Sequence, residues 1–569
     1  MICQCEPEIL YFHHVKFPIM KKNICLFAIL IPVLLIAQQE RADKIYFNAT
    51  IWTSNDLAPW AKALAIKGNK IIYIGNDFHP YKENTTELID VKGKFIVPGF
   101  IDNHTHFLSG GYNLSGVDLR KAKTKQEFIN ELKEFCKQHT DDRWILGGDW
   151  DHEAWGGELP EKEWIDSITG NHPVFVNRYD GHMAFANTKA LQMAGITNTT
   201  EAPPGGEIIK DKKGEPTGML KDEAMALMNQ AIPDPSEKEL DEYFAAAQQY
   251  AFENGVTQVH DMGSYGGWND LATYRRIYEQ KKLKLRIYSF VALWSWEKLD
   301  SFCKKNGKGD DMLRWGGLKG FVDGSLGSTT AWFYQPYLDA PGNTGLQVTD
   351  TNLLRNWVIS ADSAGLQVAV HAIGDRANDF ILDVYANAEK LNSKRDRRFR
   401  VEHAQHLTPS AIPKFAQLKV IASVQPYHAI DDGRWAYKRL NDARLKGTYA
   451  FKNLLDAGAV VTFGSDWTVA PMKPIEGIYA AVTRRTLDDK NPNGWYPEQK
   501  ISVEQALKCY TRNNAYAGFQ ENKLGILREG MLADFVILSD NLFKIAPEKI
   551  IDVKVLKTVI DGKEVFVRK

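Results

Sequence analysis

The chain has 569 residues, several times the usual length of one domain, so we expect a large core and at least one accessory domain. Its 70 Lys and Arg residues against 71 Asp and Glu residues give a formal net charge of -1 at pH 7. This balance excludes a general attraction to nucleic acid or to an anionic membrane surface. We therefore expect a small molecule as the partner, and a homo-oligomer is compatible with the same composition.

The first predicted element is an export signal near the amino terminus. Lys21 and Lys22 precede an apolar run over residues 24–36, and Ala37 follows it, which is the layout of a secretory signal peptide. The run is too short to span a bilayer comfortably, so we expect no stable membrane insertion after cleavage. We interpret residues 1–37 as an amino-terminal extension with a signal peptide and expect an exported chain, periplasmic or secreted. The alternative is a buried strand or helix of the fold.

Cysteine usage argues against a disulfide framework. Removal of the signal would leave Cys136, Cys303 and Cys509, which lie far apart and form no C-x-x-C pair. We therefore expect neither structural disulfides nor a cysteine metal site.

Short β-rich runs make up the segment from 44 to 97, for example at 71–74 and 95–97, and turn residues such as Lys92-Gly93 separate them. The same pattern of short β-rich runs and turn residues occurs again near the other end of the chain, at 533–538 and 555–563. Such runs predict antiparallel strands. We expect one β-sandwich assembled from both chain ends, with parts at 42–98 and 513–569.

Between these ends, apolar runs that close on a polar residue alternate with helix-like stretches, which indicates parallel strands joined by crossover helices. Nine runs follow this pattern, and they close at Asn103, Arg178, His260, Trp294, Asp323, His371, His403, Gln425 and Asp466. A (β/α)8 barrel needs eight strands, and the run 174–176 lies inside an unusually long interval. The prediction is therefore an α/β protein with a TIM-type (β/α)8 barrel over residues 99–512 and an insertion at about 108–230.

The insertion is rich in Trp, Gly and charged residues. We expect it to form a cap over the mouth of the barrel, where barrel enzymes place their sites. The alternative is a second domain unrelated to the site.

The first barrel strand leads into a pair of histidines, in the segment Asp102-Asn103-His104-Thr105-His106. Residues two apart in an extended segment point to the same side, so His104 and His106 can bind one ion together. An isolated H-x-H is more often a chance surface pair. Its place after an apolar strand and a Pro-Gly turn favours a metal site.

Later strands end in His371, His403 and Asp466. A single histidine at the end of a buried strand is more often a satisfied core residue, since an unpaired polar group is costly there. The H-x-H pair, two further histidines and an aspartate in corresponding places favour a metal centre instead. Imidazole nitrogen with carboxylate oxygen suits Zn²⁺, Fe²⁺, Mn²⁺ or Co²⁺, and the lack of thiolates indicates a catalytic site.

Five motifs, in this order, carry a resemblance to a known family: V-P-G-F-I-D-N-H-T-H, L-K-G-F-V-D-G-S-L-G-S, V-A-V-H-A-I-G-D-R-A, V-E-H-A-Q and F-G-S-D-W. Over residues 42–569 the chain resembles amidohydrolase family 3 of the amidohydrolase superfamily. It is similar to the N-substituted formamide deformylases and their exported relatives. The segment 525–538 resembles the family strand that returns to the β-sandwich.

By position, the resemblance implies that His104 and His106 hold one metal ion, and that His371 and His403 hold a second ion or share the first. Asp466 is then bonded to the metal and to the attacking water. Zinc is the expected metal, as one or two ions. A divalent ion lowers the pKa of bound water from about 16 towards roughly 7 and polarises the substrate carbonyl. Asp466 would accept the proton and return it to the leaving nitrogen.

The resemblance also implies a role for Lys319, in the segment L-K-G-F-V-D-G. A lysine at this strand end can carry a carbamate formed from carbon dioxide, which would be an anionic ligand able to bridge two metal ions. An unmodified ammonium beside a divalent cation is electrostatically unfavourable. The alternative is a lysine that pairs with Asp323 or reaches solvent.

Two further histidines are candidates for contact with a substrate. His182 lies within the insertion, in a segment that resembles a family segment reaching the site. His428 lies on the loop beyond the seventh strand. The alternative for His182 is a structural loop histidine.

We expect a metal-dependent amidohydrolase that cleaves a non-peptide C–N bond of a small-molecule amide through a metal-activated hydroxide. The alternatives are a cyclic amidase or deaminase of the same superfamily, because the same hydroxide attacks either carbon, and an exported binding protein without catalytic activity. The complete set of five ligands argues against the last alternative. The loops and the insertion set the specificity, so the sequence does not identify the substrate.

Overall fold

The computed structural model describes residues 40–139, 142–178, 183–203, 206–264, 267–327 and 329–569. The expected signal segment 1–37 and the candidate residue His182 lie outside these ranges. Residues 41–569 pack as one unit. Within the described ranges, no helix is both long and apolar enough to cross a lipid bilayer.

Seven short strands open the described chain. Gly68, with a φ of 57°, permits the two-residue reversal between the fourth and fifth strands, because glycine adopts left-handed backbone without a steric cost. The strands are β1 (Lys44–Phe47), β2 (Thr50–Trp52), β3 (Trp60–Ala61), β4 (Ala63–Lys67), β5 (Lys70–Gly75), β6 (Glu87–Asp90) and β7 (Phe95–Pro98).

The first barrel strand, β8 (Phe100–Thr105), follows β7 and leads into helix α1 (Phe107–Ser115). An inserted region with its own sheet comes next. Its elements are β9 (Val117–Asp118), α2 (Lys125–Gln138), β10 (Gly147–Trp150), β11 (Phe175–Arg178), β12 (Met183–Ala186), α3 (Thr188–Met193), β13 (Gly206–Lys210), β14 (Pro216–Asp222) and α4 (Ala226–Asn229).

The inserted sheet has six strands in the order β13-β14-β12-β11-β10-β9. It buries an apolar cluster of its own around Phe128, Trp150 and Phe185. The predicted run 174–176 coincides with β11, so it lies in this sheet and not in the barrel wall.

Seven further strands complete the barrel, with helices between them. The elements are α5 (Glu237–Glu253), β15 (Val256–Asp261), α6 (Trp268–Glu279), β16 (Arg286–Ala292), α7 (Trp296–Asn306), β17 (Leu313–Phe321), α8 (Thr351–Ser363), β18 (Gln367–Ala372), α9 (Asp375–Leu391), β19 (Arg400–His403), α10 (Ala411–Gln417), β20 (Ile421–Val424), α11 (Pro426–Asp432), α12 (Asp442–Leu445), α13 (Phe451–Asp456), β21 (Val461–Phe463), α14 (Pro474–Thr483), α15 (Val503–Tyr510) and α16 (Arg512–Ala517). From β8 to β21, each of the eight strands pairs in parallel with its neighbour along the chain. The strands are buried on both faces, which explains their continuous apolar runs.

The barrel closes where β21 meets β8. The amide of Asp466 donates to the carbonyl of His104 at 2.8 Å, and the amide of His106 donates to the carbonyl of Trp467 at 2.7 Å. Gly464 allows this close approach, since a Cβ there would lie 2.7 Å from the backbone nitrogen of His104. The predicted (β/α)8 barrel is confirmed.

Helix α9 illustrates how the outer helices hold the strands in place. Its buried residues Ala377, Ile381, Tyr385 and Ala388 recur at helical spacing and form one apolar face. The ring of Tyr385 stacks on Phe399, with centroids 4.3 Å apart. This packing fixes the start of β19 and therefore the position of the side chains at its far end.

Three strands follow the barrel: β22 (Phe535–Leu538), β23 (Val555–Ile560) and β24 (Lys563–Val567). They join the amino-terminal strands in a sheet of order β24-β23-β22-β7-β2-β3, beside a second sheet of order β5-β4-β1-β6. Tyr46, Leu64, Phe535 and Val559 share one apolar cluster. Both chain ends therefore contribute to the accessory β domain, while the predicted boundary at 512/513 falls within α16, a helix that packs on the barrel.

Candidate active site

Five predicted ligands gather at the mouth of the barrel. His104 lies on β8, His371 lies on β18 and His403 ends β19. His106 follows β8 directly, and Asp466 lies three residues beyond β21. Because the eight strands are parallel, their carboxyl ends meet at one face, so residues distant in the chain become neighbours.

The carboxylate of Asp466 is central to this group. Its Oδ1 lies 3.4 Å from Nε2 of His104 and 3.4 Å from Nε2 of His106. Ligand atoms that bind Zn²⁺ at about 2.1 Å in a tetrahedral arrangement are roughly 3.4 Å from one another. The distances from Asp466 to both imidazole nitrogens therefore fit a divalent ion of this size.

Hydrogen bonds fix both histidines of the first strand in one tautomer. Nδ1 of His104 donates to Oε2 of Glu402 at 2.6 Å, and Nδ1 of His106 donates to the carbonyl of Gly263 at 2.7 Å. Each bond leaves the Nε2 lone pair facing Asp466. Such outer acceptors orient histidine ligands and raise their basicity.

The two later histidines are held in the same way. Nε2 of His371 donates to the carbonyl of Gly324 at 3.0 Å, which leaves Nδ1 as the donor atom for a metal. Nδ1 of His403 donates to Oε1 of Gln425 at 2.8 Å, which leaves Nε2 as the donor atom for a metal. The rings of His371 and His403 lie 4.5 Å apart, so both can serve one ion.

Two of the candidate ligands have a left-handed backbone. His403 has a φ of 74° and Asp466 a φ of 57°, a region that residues other than glycine rarely adopt. Such conformations cost of order 1–3 kcal/mol each and persist where surrounding contacts enforce them, often at functional sites.

Lys319 is buried in the same group. Only 4% of its surface is exposed, and its Nζ lies 3.2 Å from Nε2 of His104. Burial lowers its pKa from 10.5 to about 8, although Glu402 and Asp466 oppose the shift. Asp323, the partner in the alternative interpretation, instead accepts hydrogen bonds from the amides of Ile373 and Gly374.

Burial also keeps three of the imidazoles neutral. It lowers the pKa of His104 to about 4 and that of His371 to about 3, with Lys319 adding to both shifts. The pKa of His403 is likewise held well below its ordinary value, mainly by burial. Neutral imidazole is the form that binds metal, so these side chains need lose no proton to act as ligands.

The carboxylate of Asp466 is ionised at neutral pH. Burial raises the pKa of this carboxyl group. The surrounding histidines, above all His104 and His106, lower the pKa by a larger amount, so that it lies well below 3.8. The group is thus a buried anion among imidazole nitrogens; although burial lowers the pKa of His106, the contact with Asp466 raises it above its ordinary value. This donor set suits a divalent cation and, once the cation shares the charge, a reversible proton acceptor.

Beneath the donors lies a buried ionic network that the sequence did not indicate. Glu402 accepts hydrogen bonds from His104, from Nε of Arg400 at 2.7 Å and from Oγ of Ser423 at 2.5 Å. Arg400 also donates to the carbonyl of Asn103 at 2.6 Å. The network orients His104, and its only sequence signal is the Glu beside the ligand in V-E-H-A-Q.

The last candidate residues are the two histidines expected to touch a substrate. His428, on α11, lies with the ligand atoms of His403 and Asp466 in a group whose members are within 4.8 Å of one another. Its Nε2 is buried and makes no hydrogen bond to the described residues. His182 lies outside the described residues, so its position is not part of this geometry.

Comparisons with known proteins agree with this geometry. The family model described as "Amidohydrolase family" matches residues 87–566. The chain is similar to Protein LONG AFTER FAR-RED 3 of Arabidopsis thaliana, with 41% identity over 537 residues that cover 92% of each chain. It is also similar to N-substituted formamide deformylase of Arthrobacter pascens, with 26% identity over 538 residues, 91% of this chain and 97% of that protein.

Among solved structures, the chain is similar to an uncharacterized metal-dependent hydrolase from Pyrococcus furiosus. The TM-score is 0.74 and the identity 29%, and the match covers 88% of this chain and 100% of that one. The barrel, the donor set at its mouth and the match over most of the sequence lead to one assignment. The chain belongs to the amidohydrolase family and has the fold of its metal-dependent hydrolases.

Proposed function

We propose that the protein hydrolyses a non-peptide C–N bond of a small-molecule amide with the help of one or two zinc ions. The observation that carries the proposal is the position of Asp466, whose Oδ1 lies 3.4 Å from the donor nitrogens of both His104 and His106. The relationship to N-substituted formamide deformylase supports the choice of bond.

The donor atoms suggest how the metal would be held. His104, His106 and Asp466 would hold one ion, and His371 and His403 would hold a second ion or share the first. A bound divalent ion would polarise the substrate carbonyl and lower the pKa of the attacking water.

Asp466 is proposed to move the proton. Its carboxylate accepts the proton of the attacking water and returns it to the leaving nitrogen, so that one group acts as base and then as acid. The backbone amide of Asp466 donates to the carbonyl of His104 at 2.8 Å, which holds Asp466 beside the donor nitrogens. His428 has a buried Nε2 beside Asp466 and is proposed to contact the substrate, as is His182.

Lys319 is proposed to carry a carbamate. The neutral amine adds to carbon dioxide with formation of an N–C bond and release of one proton, and the product would be an anionic ligand between the two histidine pairs. Burial favours this reaction, because the lowered pKa leaves more of the amine neutral.

Metal analysis of the purified protein, combined with a panel of N-formyl, N-acyl and cyclic amides, tests the proposal. We expect bound zinc and turnover of acyclic amides, with loss of turnover when a chelator removes the metal. Turnover of cyclic amides or aminated rings alone would replace the proposal with a cyclic amidase or deaminase. Stoichiometric metal without turnover of any amide would favour a binding protein.

A further inference from the structure

Arg400 lies at the start of β19 and is fully buried. Its Nε donates to Oε1 of Glu402 at 2.7 Å. Its Nη2 donates to the carbonyl of Asn103 at 2.6 Å and to Oγ of Ser423 at 3.2 Å, and its Nη1 lies 3.1 Å from Nδ1 of His260. Each of the three nitrogens thus has a partner on a barrel strand, so the guanidinium group is fixed in one orientation.

The carboxylate of Glu402 is shared between Arg400 and the candidate ligand His104. Oε1 faces Arg400, whereas Oε2 accepts hydrogen bonds from Nδ1 of His104 at 2.6 Å and from Oγ of Ser423 at 2.5 Å. Burial raises the pKa of Glu402, but Arg400 and His104 lower the pKa by a larger amount, so that it lies well below 4.5. Glu402 is therefore an ionised acceptor with a donor at each oxygen.

An amide in place of this carboxylate would have only one accepting oxygen. A guanidinium group can donate hydrogen bonds but cannot accept them, so the amide oxygen would turn to Arg400 and the amide NH₂ group would face Nδ1 of His104. His104 would then accept at Nδ1 and carry its proton on Nε2, the atom that lies 3.4 Å from Oδ1 of Asp466. A ring nitrogen that carries a proton does not bind a metal.

We propose that Arg400 is a positioning residue of the metal site, which determines through Glu402 which ring nitrogen of His104 faces the metal. This inference rests on the metal site of the proposed function. In the aspartate–histidine pair of serine proteases, replacement of the carboxylate by an amide costs about 10⁴-fold in rate through the same change of tautomer. The tautomer of His104 is thus set by a residue two positions further from the metal.

The first test measures zinc affinity by competition with a chelator, without any substrate. We expect Glu402→Gln to weaken zinc binding by about a hundredfold. In the background of His104→Ala, the same substitution should have no further effect, because it acts through His104. Equal losses in both backgrounds would assign the effect to charge or to folding and overturn the proposal.

Glu521→Gln is the matched control for this test. Glu521 also pairs with an arginine, since Nη2 of Arg398 donates to its Oε1 at 2.7 Å. Arg398 precedes β19, whereas His403 ends that strand, so this pair lies away from the mouth of the barrel. Zinc affinity should be unchanged in Glu521→Gln, and circular dichroism checks that each variant is folded.

The second test is a rescue. Arg400→Met added to Glu402→Gln removes the donor that holds the amide oxygen, which can then accept from Nδ1 of His104. We expect zinc affinity to rise at least tenfold above that of Glu402→Gln alone. Arg400→Gln, which offers an accepting oxygen in place of donors only, should give the same recovery and serves if the methionine variant does not fold. Folded double variants without recovery would overturn the proposal.

The outcomes separate this inference from the proposed reaction. If the protein hydrolyses no amide of the panel but its zinc affinity follows the expected pattern, the role of Arg400 stands and the proposed reaction falls. Turnover of amides with equal zinc affinity in the wild type and Glu402→Gln would leave the reaction and overturn the role of Arg400. Wild-type protein that binds no zinc would overturn that role as well.

Discussion

In each histidine of the candidate site, one ring nitrogen donates a hydrogen bond to the protein, and the other ring nitrogen could bind a metal. The acceptors differ in kind: a carboxylate for His104, a backbone carbonyl for His106 and His371, and an amide oxygen for His403. The carboxylate is the strongest of these acceptors, because it is ionised. His104 therefore makes the strongest of these four hydrogen bonds, which fixes the orientation of its ring.

Lys319→Ala tests the proposed carbamate at the level of one residue. We expect loss of metal and of activity, and partial recovery of both when a short carboxylic acid in excess occupies the vacated space. Metal analysis and turnover of the best amide are measured on the same sample. Lys308→Ala is the control, because Lys308 is exposed and donates to the carbonyl of Gly365 outside the site. A Lys319→Ala enzyme with unchanged metal content and rate would show that the histidines and Asp466 suffice.

The pKa of Lys319 predicts how carbamate formation depends on pH. Burial lowers this pKa to about 8, so the neutral, reactive amine becomes the major form only above that pH. Metal-stripped protein should therefore recover activity roughly tenfold faster one unit above the pKa than one unit below it, with zinc and dissolved carbon dioxide held constant. Recovery at a rate independent of pH would contradict this expectation.

The sequence indicated the candidate ligands more readily than the residues that support them. His104, His371 and His403 follow apolar runs at strand ends, and one rule of barrel topology brings such positions together. Glu402 accepts the hydrogen bond of His104 although the two residues are 298 positions apart in the chain. A local sequence pattern cannot indicate a contact between residues so far apart. The same limit applies to Asp102, which accepts the amide of Ser465 at 2.9 Å and ties the first strand to the last.

At the level of elements, helix α16 stabilises the closure of the barrel between β8 and β21. Nδ2 of Asn514 donates to the carbonyl of Phe463 on β21 at 2.8 Å and to the carbonyl of Ile101 on β8. One side chain thus joins the first and the last strand. Because both carbonyls are buried, their loss of a partner should be costly.

Asn514→Ala should lower the free energy of unfolding by about 2–4 kcal/mol, since it leaves two buried carbonyls without a hydrogen bond. Denaturant unfolding followed by circular dichroism measures the change. Asn513→Ala is the matched control on the same helix, because Asn513 bonds to a single strand carbonyl, that of Val461 at 2.9 Å. Equal losses in the two variants would show that Asn514 does not join the strands as described.

Element boundaries show what the local pattern could not resolve. The run predicted to close at Trp294 ends as β16 at Ala292, and a 3-10 turn over 293–295 follows. The third barrel strand thus ends two residues earlier than predicted, because apolar residues continue into the turn and apolarity alone does not mark the strand end. The β-sandwich, in contrast, could be predicted from both ends, because β7 and β22 are each short apolar runs between turns.

At the level of the whole molecule, a buried ion pair joins the barrel to the accessory domain. Arg286 on β16 donates to Asp534 at 2.7 Å and to Asp561 at 2.5 Å, and only 1% of its side chain is exposed. Asp534 directly precedes β22. The two parts of the molecule are therefore expected to unfold together.

Arg286→Ala should cost about 3–5 kcal/mol of unfolding free energy, because it leaves two carboxylates without their cation. Calorimetry measures the change and should show one transition in the wild type. Lys557→Ala, which breaks a partly exposed pair with Glu564 at 2.7 Å within the same domain, should cost less than about 1 kcal/mol. Two separate transitions in the wild type would contradict the coupling of the two domains.

The most direct test of the account is the activity and metal content of Asp466→Asn, measured on one preparation with the best amide of the panel. The substitution keeps the shape of the side chain but removes the proton acceptor, so we expect most of the metal to stay and turnover to fall by more than about a hundredfold. Asp456→Asn is the control, because Asp456 is exposed and pairs only with Lys452 among the described ion pairs. Full activity in Asp466→Asn would contradict the central claim that this carboxylate moves the proton.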